Sequence, residues 1–191
     1  SGNCTALEKA ADQAFEDKKL ECLKQDQKLD FYHTKEALKT VLAAQGKTFA
    51  SEGNLNNHWG APLSLARMPR DTEIGIFELG MNHADEIRPL AKMVRPHAAI
   101  ITTVEAVHIE FFDSVAGIAD AKAEILEGLE PGGTAILPRD NEHFSRMAAR
   151  AKALEVQHRC GNSSNNDGFG KAAGFPSTPE TYTTVYCRRI Q

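Results

Sequence analysis

The sequence predicts an α/β fold in three layers, with a mostly parallel sheet and crossover helices, plus an N-terminal helix and an irregular C-terminal tail. Residues 74–77 and 98–104 are short apolar runs rich in β-branched side chains, and they are too short for helices. Helix-like sequence follows each run, an alternation typical of parallel strands joined by crossovers. A third strand is expected over residues 134–137. The sequence therefore predicts at least three strands of one sheet.

Composition excludes several classes of protein. The 191 residues carry a net charge of −4, with acidic and basic side chains mixed along the chain, which argues against a nucleic-acid surface built on bulk charge. No apolar run approaches the roughly 18 residues that a membrane span needs, and no signal-peptide core is visible. The four cysteines form no CxxC pair, which favours free thiols. We expect a cytoplasmic protein that binds neither membrane nor nucleic acid.

The chain divides into three parts. Residues 1–33 are expected to form a helical extension, with a charged helix over residues 5–28. Residues 34–155 contain the predicted central α/β domain. Residues 156–191 read as a polar tail, either loop or disordered, because residues 161–181 are rich in Gly, Ser, Asn and Pro. Within this tail, residues 182–186 could add one edge strand.

A glycine-lysine-threonine sequence follows the predicted helix over residues 34–45. Gly46, Lys47 and Thr48 match the end of the phosphate-binding pattern GxxxxGK[ST], but the first glycine of that pattern would stand where Val41 does. The pattern should also follow a strand and open a helix, whereas here it follows a helix. We interpret it as a helix end rather than as a phosphate loop.

An asparagine-rich loop comes next. Asn54, Asn56 and Asn57 lie between Gly53 and Gly60, in a stretch whose composition predicts irregular structure. Such asparagines either bind a polar ligand or hydrogen-bond their own backbone, and the residues alone leave both alternatives open.

Polar side chains cluster where two predicted strands end. In parallel sheets, ligands bind at the carboxyl ends of the strands. The residues there are Glu78, Asn82 and His83 after the first strand, and Glu105, His108 and Glu110 after the second. This placement is the main functional signal in the residues themselves.

Lys122 stands on an apolar stripe of the helix that follows the second strand. At 100° per residue it falls between Ile118 and Ile125, on the side predicted to face the core. Lysine is rarely buried without a partner. Either its stem carries the ammonium group outward to solvent, or the side chain points to the strand ends near Glu78 and His108.

Three motifs resemble the central ATPase domain of the Mur ligases. They are GNLNNHWGAPLSLARMP, FELGMNHADEI and VEAVHIEFFDSVAGIADAKAEILEGL, and they occur in the order found in that family. The resemblance runs from about residue 34 to residue 154 and is strongest to the D-alanyl-D-alanine-adding branch. It implies a truncated form of that domain.

The resemblance implies formation of an amide bond in peptidoglycan precursor synthesis. In this family ATP, with Mg²⁺, phosphorylates the carboxylate of a UDP-linked muramyl peptide. The amine of D-Ala-D-Ala then attacks the acyl phosphate. ATP and Mg²⁺ are thus the implied cofactors, and the muramyl peptide and D-Ala-D-Ala the implied substrates.

The resemblance also implies roles for particular residues. Glu78 matches a magnesium ligand, and His108 matches the histidine that holds a second magnesium ion. Lys122 matches the lysine that the family carbamylates, which would turn a cation into an anionic ligand; His108 and Lys122 are the implied catalytic residues. The implied residues for binding nucleotide or substrate are Asn56, Asn57, Asn82 and His83.

The sequence departs from the family pattern in several ways. The family's flanking domains lie outside the resemblance, and the charged helix expected over residues 5–28 stands where the family has the strand before its phosphate loop. Residues 29–33 (LDFYH) stand where the family has its glycine-rich phosphate loop, and Pro138 stands where the family usually has asparagine. Two hypotheses follow: a ligase domain, or a non-catalytic truncated fold that acts as a binding or oligomerisation module. The second includes a homo-oligomer formed through the exposed sheet.

Overall fold

The structure, a computed structural model, describes residues 32–106, 109–161 and 184–189. The strands are β1 (Thr48–Ala50), β2 (Ile74–Leu79), β3 (Ala98–Ile101), β4 (Thr134–Pro138), β5 (Gln157–Gly161) and β6 (Thr184–Arg189). The helices are α1 (Tyr32–Ala43), α2 (Gly60–Arg67), α3 (Ile87–Val94), α4 (Val115–Ala123) and α5 (Phe144–Ala153), with 3₁₀ turns at Ile109–Phe111 and Glu124–Gly128. The predicted helix over residues 5–28 lies outside these residues.

One six-stranded sheet has the order β1-β2-β6-β3-β4-β5. Neighbouring strands are parallel at β1–β2, β3–β4 and β4–β5, whereas β6 runs antiparallel to both β2 and β3. This confirms the predicted α/β class, its mostly parallel sheet and the three strands expected from their apolar runs. The glycine-lysine-threonine sequence leads into β1, so its rejection as a phosphate loop is also confirmed.

The strand expected at residues 182–186 differs from the prediction. It runs from Thr184 to Arg189 and lies inside the sheet rather than at its edge, because its backbone pairs with β2 on one side and with β3 on the other. Strand β5, also within the predicted polar tail, was not expected. Its HRC sequence has no apolar alternation, and pairing with β4 determines its conformation.

Apolar side chains cover both faces of the sheet. On one face Ile76 and Ala50 pack against Leu38 and Leu42 of α1. On the other face Phe77 belongs to the main core cluster, since successive residues of a strand point to opposite sides. The three predicted layers are therefore present. None of the helices in the described residues is long and apolar enough to cross a membrane.

The 3₁₀ turn after α4 packs closely on α3. A Cβ atom at Gly128 would lie 2.4 Å from the carbonyl carbon of Ala91 and 2.6 Å from its Cβ. Most of this contact is with backbone, which cannot rotate away. Glycine at position 128 therefore allows the two segments to approach.

We predict that Gly128→Ala destabilises the fold by about 1–3 kcal/mol, because the new methyl group overlaps the α3 backbone. Gly117→Ala is the matched control: that glycine lies within α4, and its nearest neighbour would be 3.6 Å from the added Cβ. We expect this control to be neutral or stabilising by up to about 1 kcal/mol. Urea unfolding of both variants measures the difference, and equal losses would contradict the packing described here.

Candidate functional site

Glu78 is the centre of a buried polar cluster near the end of β2. Its side chain is 5% exposed. Asn56 donates from Nδ2 to Glu78 Oε1 over 2.8 Å, and the Glu78 backbone N–H donates to Ser51 Oγ over 3.3 Å. Ser51 and Asn56 both belong to the loop after β1, which therefore contacts the backbone and the carboxylate of Glu78. Of the predicted site residues, Asn56 and Glu78 are thus brought together.

Lys35 completes this cluster, and the sequence analysis missed it. Its side chain is fully buried (0% exposed), and Nζ lies 3.6 Å from Glu78 Oε2. Nζ also donates to the backbone oxygen of Gly53 over 2.8 Å. A signal was present: Lys35 stands three and seven residues before Leu38 and Leu42, the side chains that pack on the sheet.

Lys122 lies on α4, and its side chain reaches the segment that follows β3, a strand parallel to β2 and separated from it by β6. The side chain is 3% exposed, and Nζ donates to the backbone oxygen of Thr103 over 2.5 Å. The lysine therefore points toward the strand end rather than outward to solvent. The second alternative for Lys122 is favoured by this placement, although His108 lies outside the described residues.

Burial changes the acidity of Lys122. Desolvation disfavours the charged amine and lowers the pKa of Lys122 to about 8, while the negative charge of Glu105 works in the opposite direction. The Glu105 carboxylate itself accepts a hydrogen bond from Thr103 Oγ1 over 2.9 Å. With a pKa of about 8, roughly a tenth of Lys122 is neutral, and so nucleophilic, at pH 7.

The polar groups around Glu78 and those around Lys122 both lie at the carboxyl ends of parallel strands. Leu79 at the end of β2 and Ile101 at the end of β3 both pair with Thr184 of β6. The two strand ends are therefore level and separated by two strand spacings, roughly 10 Å. The carboxyl ends of the strands are where parallel sheets bind ligands.

Other predicted residues have structural contacts in the loops. Asn57 Oδ1 accepts from the backbone N–H groups of Gly60 (2.9 Å) and Trp59 (3.1 Å), so it caps the start of α2. The exposed Asn82 and His83 follow β2, and their backbone N–H groups donate to Glu86 Oε2. Partial burial alone would raise the pKa of Glu86. The hydrogen bonds together outweigh the effect of burial, so the pKa of Glu86 lies below its usual value.

Asn141 is a further site residue that the sequence analysis did not identify. It follows β4, and its Nδ2 donates to the backbone oxygen of Val104 over 3.0 Å. It thereby ties the loop after β4 to the loop after β3, next to the Lys122 contact. Pro138, where the family pattern has asparagine, is the last residue of β4.

The described residues do not fit a magnesium ion at Glu78 as the carboxylate is held here. One oxygen already accepts from Asn56, and the other faces the buried ammonium group of Lys35. A divalent cation at this carboxylate would be repelled by that ammonium group. Within residues 32–106, 109–161 and 184–189, no group of three or more His, Cys, Asp or Glu side chains could hold a metal ion.

Comparison with known proteins identifies the family. Residues 33–184 match the Mur ligase middle domain, and the chain therefore belongs to the Mur ligase family. Within this class, its relatives include the UDP-N-acetylmuramoyl-tripeptide–D-alanyl-D-alanine ligases of Rickettsia prowazekii and Escherichia coli. These are 42% identical over 123 residues and 36% identical over 133 residues, covering 64% and 70% of this chain.

A solved structure agrees with the sequence relatives. The crystal structure of MurF from Acinetobacter baumannii superposes with a TM-score of 0.62 at 33% identity and covers 68% of this chain. In each of these comparisons the chain spans less than a third of the other protein, between 27% and 29% of its length. The family resemblance found in the three motifs is confirmed.

We predict a distinctive pH dependence of stability from Lys122. Its pKa is about 8 in the folded chain and near 10.5 when unfolded, so the unfolded chain binds more protons between these values. Stability should therefore rise from pH 8 to pH 10.5 relative to Lys122→Met, by up to about 3 kcal/mol.

The measurement is urea unfolding of both chains across this range in carbon-dioxide-free buffer. Lys152→Met, which removes an exposed lysine, is the matched control and should track the parent chain. Parallel stability curves for the parent and Lys122→Met would show that Lys122 is not desolvated.

Proposed function

We propose that this chain is part of the central domain of an ATP-dependent ligase of the D-alanyl-D-alanine-adding type. One observation carries the proposal: in a chain of the Mur ligase family, Glu78 and Lys122 are both buried near the level ends of β2 and β3, which are parallel to each other and separated by β6. The proposal places the chain in the cytoplasm, where ATP and nucleotide-linked precursors are found.

The proposed reaction has two steps. A carboxylate oxygen of the UDP-linked muramyl peptide attacks the γ-phosphorus of ATP, which gives an acyl phosphate and releases ADP. The amine of D-Ala-D-Ala then attacks the acyl carbon, an amide bond forms, phosphate leaves, and the amine loses a proton. Such chemistry depends mainly on positioning and on stabilisation of charge.

The residues of this chain would contribute in two ways. Asn56 and Lys35 hold the Glu78 carboxylate at one side of the site, and Lys122 and Asn141 organise the loop after β3 at the other. Roles for Asn57, Asn82, His83 and His108 in binding nucleotide, substrate or metal stay predictions of the resemblance. Magnesium also stays a prediction of the resemblance.

A second candidate is the non-catalytic binding or oligomerisation module. It is favoured by the LDFYH sequence at residues 29–33, which lacks the glycines, lysine and hydroxyl that a phosphate loop provides. Among the described residues β1 and β5 are the outer strands of the sheet, and in this case they offer edges for pairing with a second copy. A monomeric mass by light scattering would count against that form of the module.

The ligase proposal predicts activity when a phosphate loop is supplied. We would replace the matching segment of a full-length D-alanyl-D-alanine-adding ligase with residues 34–154 of this chain. The chimera should release phosphate only when UDP-muramyl tripeptide and D-Ala-D-Ala are both present. The 191-residue chain alone should show no such release, because the sequence of residues 29–33 lacks the glycines and the lysine of the loop that binds the β- and γ-phosphates.

Variants of the chimera test the site itself. Glu78→Ala should lower the rate by at least about 100-fold, because it removes the carboxylate that Asn56 and Lys35 contact, and a small misplacement of site residues costs about this much. Glu52→Ala, an exposed residue of the neighbouring loop, is the control and should retain the rate. A folded chimera that is inactive, or whose rate is unaffected by Glu78→Ala, would favour the non-catalytic module.

A further inference from the structure

Lys35 occupies an unusual position for a lysine. It lies in the first turn of α1, on the helix face that carries Leu38 and Leu42 into the sheet. Its side chain is fully buried, whereas lysine side chains usually keep their ammonium group in water. A buried ammonium group is stable only when it is paired with a charge and hydrogen-bonded.

The surroundings of Lys35 meet both conditions. The ammonium group forms an ion pair with Glu78 and donates to the Gly53 carbonyl, and Asn56 donates to the other oxygen of the same carboxylate. Residues from α1, from the loop after β1 and from β2 therefore converge on one charge pair. These contacts hold both partners of the pair in fixed geometry.

This pairing removes the need for an external cation at Glu78. A carboxylate buried to this extent requires a positive charge nearby, and Lys35 provides one that is part of the chain. Magnesium requires six oxygen ligands in near-octahedral geometry, and a lysine ammonium group has only donors to offer. Lys35 therefore excludes a divalent cation both by charge and by failing to act as a ligand.

We propose that Lys35 is the resident counter-ion of Glu78 and keeps divalent cations off this carboxylate. A metal ion would bind Glu78 only after the Lys35 ammonium group is removed or displaced. This pairing concerns the same site as the proposed ligase function. Its test measures cation binding and thermal stability, whereas the test of the ligase function measures phosphate release. Either proposal can thus fail without the other.

The test uses the full 191-residue chain and Mn²⁺ as the probe. Binding is followed by loss of the free Mn²⁺ signal in electron paramagnetic resonance, and unfolding by the thermal midpoint. The variants are Lys35→Gln, Glu78→Gln and the double variant, and Lys39→Gln is the matched control because Lys39 is an exposed lysine of the same helix.

We expect no Glu78-dependent Mn²⁺ binding by the parent chain or by Lys39→Gln. Lys35→Gln should lower the midpoint by roughly 10 °C, because it removes the ammonium group that pairs with the buried Glu78 carboxylate. Added Mn²⁺ should then raise the midpoint of Lys35→Gln and leave that of the double variant unchanged.

Two results would overturn the proposal. One is Mn²⁺ binding by the parent chain that disappears in Glu78→Gln, and the other is a folded Lys35→Gln chain with no Mn²⁺ response. If Lys35→Gln does not fold, the double variant shows whether Lys35 and Glu78 form the proposed charge pair. A double variant that folds supports the pairing, since removing both charges leaves neither unpaired, and one that is also unfolded contradicts it.

Discussion

The pairing of β6 with both β2 and β3 is the constraint on which the rest of the structure depends. It joins the parallel pair β1–β2 to the parallel group β3–β4–β5, so that the described residues form one sheet. Without this strand, two small parallel units would each expose an unpaired edge, and a unit of only two strands is marginally stable at best. Because β6 pairs in register with both neighbours, it also keeps the ends of β2 and β3 level.

Two buried lysines hold the loops at the carboxyl ends of the parallel strands. Lys35 donates to the carbonyl of Gly53 after β1, and Lys122 donates to the carbonyl of Thr103 after β3. Each therefore fixes a loop that leaves a parallel strand. Their electrostatic surroundings differ: Lys35 forms an ion pair with a buried carboxylate, whereas the desolvation of Lys122 is opposed only partly by the exposed Glu105. The same residue type thus serves as a counter-ion on one side and, with its lowered pKa, as a partly neutral amine on the other.

The sequence allowed the parts of this arrangement that depend on local patterns to be predicted. Strands β2 and β3 were found from short β-branched runs, and Lys122 was identified because it interrupts an apolar stripe. The three residues of β1 are too few to show a period, and the central position of β6 depends on pairing between segments about a hundred residues apart. Lys35 was missed although Leu38 and Leu42 mark its helix face. Asn56 and Asn57 are adjacent asparagines that the sequence does not distinguish. Only the contacts show that Asn56 is the partner of Glu78 and that Asn57 caps a helix.

The central claim is that the fold makes Lys122 a reactive amine at the carboxyl ends of the parallel strands, where such sheets bind ligands. Carbon-13 NMR of the chain with ¹³C-bicarbonate at pH 8 tests this most directly, because only a neutral amine attacks carbon dioxide to form a carbamate. With its pKa near 8, about half of Lys122 is neutral at this pH, against well under about 1% of an ordinary lysine. We predict a carbamate carbonyl resonance that is absent from Lys122→Met. Identical spectra for the two chains would contradict the account.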